Sequence, residues 1–140
     1  MKKKSLIIGG VLSIIAGLVH IAIIFGGAQW YRFFGAGENM AAMAEAGSLM
    51  PAAITTGIAA ILFIWGLYAF SGAGLIRRFP FMRICLTLIS LIYLVRGLAF
   101  IPAYFIAPEQ INSFAIWSSL ICLGYGLFYA IGTKTVWRLI

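Results

Sequence analysis

Acidic side chains are nearly absent from this sequence. Glu38, Glu45 and Glu109 are its three carboxylates against ten Lys and Arg, and charged residues make up 9% of the 140. Soluble domains carry about 25%. Histidine occurs once, at His20, so haem ligation by two histidines within one chain is excluded. The two cysteines, Cys85 and Cys122, fall in apolar segments at different depths, which argues against a disulfide, and no Cys/His spacing suits a metal. Both read as small buried hydrophobes. No GxSxG, P-loop, HExxH or dinucleotide fingerprint is present, so no reaction class is supported and no cofactor or catalytic residue is assigned. No carboxylate lies in the core of an apolar segment, which speaks against a proton-driven exporter.

What is abundant is apolar surface: 64% of residues are hydrophobic, and the mean hydropathy is +1.08. A chain this short cannot hide so much in a soluble core, whereas a bilayer solvates it. A spanning helix needs about 20 mostly apolar residues, and four stretches qualify: Ser5 to Ala28, Ser48 to Leu75, Phe81 to Ala103 and Ile111 to Thr133. The sequence therefore predicts an all-α membrane protein, a single domain over 1–140 built as a four-transmembrane-helix bundle. The first stretch follows Lys2-Lys3-Lys4 as a signal peptide would, with a weak cleavage site around Gly26-Gly27-Ala28. Its apolar run exceeds the 7–15 residues or so of a signal core, so it reads as a retained helix.

The net charge of +7 invites a nucleic-acid reading that the placement of the charges opposes. Lys2, Lys3, Lys4, Arg77, Arg78, Arg83, Lys134 and Arg138 all fall on one side of a membrane crossed four times. Arg32 and the three glutamates fall on the other. The positive-inside rule then puts both termini in the cytoplasm, and the expected location is a bacterial inner membrane. Trp30, Tyr31, Phe33, Phe34, Trp117 and Trp137 sit near expected interfaces, where amphipathic rings suit the headgroup level. Between the first two spans, Glu38 to Gly47 is rich in Ala, Met and Glu and predicts a short helix in or near the outer interface. An extension of the second span accounts for the same residues.

Helices in lipid associate through small residues and interhelical hydrogen bonds. Gly9, Gly10, Ser13, Ala16, Gly17, His20 and Gly27 fall largely on one side of the first span. Ala53, Thr56, Gly57 and Ala60 group on the second, Ser90, Tyr93, Gly97 and Tyr104 on the third, and Ser118, Cys122, Tyr125, Tyr129 and Thr133 on the fourth. Packing explains most of them. The plan of four short-looped spans is similar to that of small bacterial membrane proteins such as the DoxX-like group; no motif is shared on which to base a family assignment.

Arg96 resists the packing account. It is the one charge far from the ends of a spanning segment, Arg83 standing at the very start of the third, and insertion at mid-helix costs about 2.5–3.5 kcal/mol. His20 is expected at a similar depth, which suggests a shared outer-leaflet pocket of His20, Glu45, Tyr93 and Arg96, with Gln29, Tyr31, Arg32 and Glu109 at its rim. Snorkelling of Arg96 to lipid phosphate, or a strut to Glu45 or Glu109, is the plainer alternative. The first functional expectation is binding of a small amphipathic or anionic ligand, lipid- or quinone-like, or a part in transport, with membrane lipids as surroundings. The second is a non-catalytic interaction protein (a subunit, regulator or toxin-immunity protein) that meets a second copy of itself or another membrane protein.

Overall fold

The structure, a computed structural model, describes residues 3–34, 38–110 and 113–140. Lys2 of the basic N-terminus and Ile111, the expected start of the fourth span, lie outside them. Among the described residues every regular element is helical: α1 (Lys4–Gly26), α2 (Ala28–Phe33), α3 (Glu38–Glu45), α4 (Met50–Gly72), α5 (Met82–Leu98), α6 (Phe100–Ile106) and α7 (Ser113–Val136), with a 3-10 turn over Pro108–Gln110. Four are long and apolar enough to cross a membrane: α1, α4, α5 taken together with α6, and α7.

The ends follow local chemistry. α4 begins where the Met50 amide donates to the Ser48 hydroxyl (3.2 Å), with Pro51 in the first turn, where its missing N–H is not needed. α3 and α4 both end in Schellman turns. The Ser48 amide reaches back to the Met43 carbonyl (3.0 Å) and Leu75 to Phe70 (2.9 Å), with Gly47 and Gly74 in the left-handed conformation between them. The third span is interrupted at Ala99 because residue 102 is proline. It has no N–H for the Leu98 carbonyl, and the ladder is already stretched at Ala103 to Ala99 (3.3 Å).

The chain forms two compact units, one of Met1–Ser13 with Trp65–Ile140 and one of Ile14–Ile64. In the first, parts of four helices pack in a closed ring, with glycine at each contact. A Cβ on Gly10 would strike Phe70 of α4 at 2.7 Å; one on Gly72 would strike Leu86 of α5 at 2.9 Å. Gly97 of α5 would meet the Leu123 backbone of α7 at 2.6 Å, and Gly132 of α7 would meet Leu6 of α1 at 2.6 Å. Close backbone approach of this kind is how helices cohere in lipid. One hollow is lined by Lys3, Ser71, Arg78, Leu139 and Ile140. It gathers the N-terminal residues, the α4–α5 connection and the C-terminal residues at one end of this unit. Ser71 pins that connection, donating to the Arg77 carbonyl (2.8 Å) and accepting from the Phe79 amide (3.0 Å).

In the second unit α1 meets α4 at Gly17, where a Cβ would lie 2.7 Å from the Phe63 ring. Ile23, Tyr31 and Ala41 form a small buried cluster with Ala28, Phe34, Met40 and Ala44 around it, so α3 lies on α2. The packing stripe of α4 departs from expectation. Ala53, Thr56, Gly57 and Ala60 are exposed, and Pro51, Thr55, Ala59 and Leu62 are buried instead. Small residues are tolerated on either face of a helix in lipid, so their grouping did not identify the packed one.

Candidate functional site

The buried polar centre of the first unit is a run of hydroxyls. Ser13 of α1 stands 2.8 Å from the Tyr93 hydroxyl of α5 and 2.7 Å from that of Tyr129 on α7. Tyr129 also reaches the Trp65 carbonyl of α4 at 3.1 Å. A carbonyl only accepts, so Tyr129 donates to it. Ser13 must then donate to Tyr129, and Tyr93 to Ser13. One ordering satisfies the set and joins all four spans. Around it the Tyr93 ring contacts Trp65 edge-on (5.1 Å between centroids) and Tyr125 (5.4 Å). Tyr93 was a candidate ligand-binding residue; its hydroxyl is engaged here, buried to 5% exposure.

Arg96 lies one turn further along α5, in its last turn. Gly97 brings α5 against the α7 backbone, and short serine side chains thereby reach the guanidinium. Nη1 donates to Ser119 Oγ at 3.0 Å and Nη2 to Ser118 Oγ at 3.3 Å. Ser118 donates in turn to the Ala115 carbonyl (3.1 Å). Both hydroxyls are neutral, and Arg96 remains exposed. Ser119 was not on the expected stripe of α7, although the Ser118-Ser119 pair was visible in the sequence; only the depth match with Arg96 was missing.

The remaining candidates have other surroundings. His20 Nδ1 donates to the Ala16 carbonyl one turn back on α1 (2.6 Å). Glu45 accepts from Arg32 Nη1 (2.6 Å), and Arg32 grips Glu38 through Nε (2.9 Å) and Nη2 (2.7 Å). These are the ion pairs among the described residues. Arg32 holds the Glu38 carboxyl below its ordinary range and is itself pushed further up by Glu38 first and Glu45 second. Tyr31 is at 2% exposure between Ile23 and Ala41 rather than at a rim. Gln29 lines a shallow hollow with Trp30, Phe33 and Phe34, and Glu109 is exposed in the 3-10 turn. His20 and Glu45 belong to the second unit, Tyr93 and Arg96 to the first. Cys85 and Cys122 are free thiols, and among the described residues no group of three His, Cys, Asp or Glu gathers where a metal could bind.

In comparison with known proteins, no family model, no curated protein and no solved structure matches the chain.

Proposed function

We propose that this multi-pass membrane protein binds an amphipathic ligand with an anionic or carbonyl-bearing head, lipid- or quinone-like, and that Arg96 is the residue that recognises it. The observation behind this reading is a guanidinium inside a span whose hydrogen-bonding partners among the described residues are two neutral hydroxyls. Intramembrane charges are usually paired or functional. The serines orient the planar fork without neutralising it, and a planar fork suits a carboxylate, a phosphate or a quinone carbonyl. Glu38 and Glu45 are already held by Arg32. In this proposal Glu45 serves the α2–α3 hairpin, His20 remains a separate candidate, and Tyr93 is the structural neighbour beneath Arg96.

The proposed setting is a bacterial inner membrane with both termini cytoplasmic, supported by the eight basic residues assigned to one side. A cysteine placed at Glu38 or Glu109 should then react with an impermeant thiol reagent from outside, and one at Arg78 should not.

The test of the ligand reading is binding of oleate and of a short-chain benzoquinone to purified protein. Wild type should bind at least one of them. Arg96→Lys and Arg96→Gln should each weaken that binding about tenfold or more, the scale of one charged hydrogen bond of about 1.5–3 kcal/mol, with the melting temperature little changed. Equal binding by wild type and Arg96→Gln would refute the assignment and favour the interaction-protein reading.

A further inference from the structure

A second polar feature lies at the other end of the same helix pair. Between α5 and the C-terminal part of α7 runs an open groove of about 810 Å³, within the roughly 300–1,000 Å³ of ligand sites. Its walls grade in polarity. Thr87, Lys134 and Arg138 stand towards the helix ends, and Leu91, Leu94 and Ala130 line the part towards the middle of the span. Thr87 to Leu94 is seven residues, roughly 10 Å at 1.5 Å per residue.

Thr133, which also lines the groove, is 5% exposed, and its hydroxyl has no hydrogen-bond partner among the described residues. Its neighbours are satisfied in the usual helical way, Ser90 by the Leu86 carbonyl (2.8 Å) and Thr135 by Ile131 (2.7 Å). A buried hydroxyl left without a partner costs about 1–3 kcal/mol, and a χ1 rotation that turns it into the groove would let a ligand oxygen relieve it. The charge in the groove is of one sign. Lys134 and Arg138 line it, and Arg83 stacks over the Trp137 ring beside it, 5.2 Å from the centroid. None of the three glutamates is among the lining residues.

We infer that this groove holds one anionic phospholipid, its phosphate at Lys134 and Arg138 and an acyl chain along Leu91 and Leu94. The gradient from basic and hydroxyl-bearing to aliphatic over about 10 Å has the polarity profile of a lipid entering a leaflet. A soluble anion would leave the aliphatic wall unused, and a zwitterionic lipid would bring its own ammonium to a site that already holds two cations, so its phosphate would supply no net counter-charge. This site shares no residue with the Arg96 site and does not depend on it.

The experiment is quenching of Trp137 in reconstituted protein by chain-brominated phosphatidylglycerol against chain-brominated phosphatidylcholine. Trp137→Phe identifies which part of the fluorescence is Trp137. In wild type, phosphatidylglycerol should half-quench Trp137 at a mole fraction at least about fivefold lower than phosphatidylcholine, the scale for two basic side chains near anionic lipid. Lys134→Gln with Arg138→Gln should bring the two curves together. Thr133→Val, which keeps the side-chain shape and so the fold, should narrow the gap. Arg96→Gln should leave it as it is. Coincident curves in wild type would overturn the inference. So would a preference that survives both the double variant and Thr133→Val, or one abolished by millimolar inorganic phosphate, which would make this a soluble-anion site.

Discussion

The hydroxyl run through Ser13 makes a directional prediction. Tyr129 sits at its receiving end: it accepts from Ser13 and donates to the Trp65 carbonyl, and its ring is fully buried. Tyr129→Phe removes both bonds and strands the Ser13 proton. Tyr93 sits at the starting end and gives one bond, to Ser13. Tyr93→Phe therefore removes a donor while Ser13 keeps its own role towards Tyr129. Interhelical hydrogen bonds in membranes average about 0.6 kcal/mol, with a maximum of about 1.7. Two lost bonds plus part of the desolvation cost of an orphaned hydroxyl put Tyr129→Phe at about 1.5–2.5 kcal/mol. One lost bond puts Tyr93→Phe at about 0.5–1 kcal/mol. The rings remain, so cavity terms are small in both variants.

The assay is reversible unfolding in mixed micelles, followed by circular dichroism, on Tyr93→Phe, Tyr129→Phe, Ser13→Ala and the Ser13→Ala/Tyr129→Phe double variant. Ser13 and Tyr129 should couple by about 0.6–1.7 kcal/mol in the cycle. The reasoning fails if Tyr93→Phe costs as much as Tyr129→Phe. It fails equally if the coupling stays below about 0.3 kcal/mol, the noise of such cycles.

Two further outcomes follow from the geometry. Gly97→Ala should destabilise by about 1–3 kcal/mol, because its Cβ would lie 2.6 Å from the Leu123 amide nitrogen; Gly124→Ala, on the same pair of helices but with nothing within 4 Å, should be neutral or gain up to about 1 kcal/mol of helix propensity. Equal melting temperatures for the two variants would contradict the α5–α7 approach. Arg32 depresses Glu38, so the stabilisation that pairing gives is present above the ordinary glutamate value of 4.5 and fades as pH falls through the depressed one. Amide exchange in α3 should accelerate on acidification below that range in wild type, and Arg32→Gln should exchange fast at every pH; an acid-insensitive wild type would refute this role.

How much of this could be read in the sequence depended on how local the governing physics was. The spans were legible because hydropathy averages over some 20 residues, and a few misplaced ends do not change the sum. Observed ends shifted by one to three residues, as at α4, where Ser48 and Pro51 set the start and the turn at Gly74 the stop. The stripe on α1 was legible because Gly9, Gly10, Ser13 and Gly17 sit there with few competing small residues elsewhere on the helix. On α4, Ala and Thr occur around the whole circumference, so Thr55 and Ala59 could not be told from Thr56 and Ala60 without the partner helix. The interruption at Ala99 was readable in principle from Pro102, whose consequence four residues upstream is purely local.

The candidate site was harder because it turned on pairings between segments. Arg96 was conspicuous as a charge, but identifying its partners needs the relative depth of α5 and α7 to within one residue, since Ser118 and Ser119 point differently. Boundaries read from hydropathy are less precise than that. For Glu45 the outcome was decided by chain distance. Arg32 lies 13 residues away and Glu38 six from the same guanidinium, so closing that loop sacrifices little entropy. The local pairing engages two of the three acidic side chains, while Arg96, among the described residues, donates to the neutral hydroxyls of Ser118 and Ser119, which is the arrangement the proposed ligand would complete.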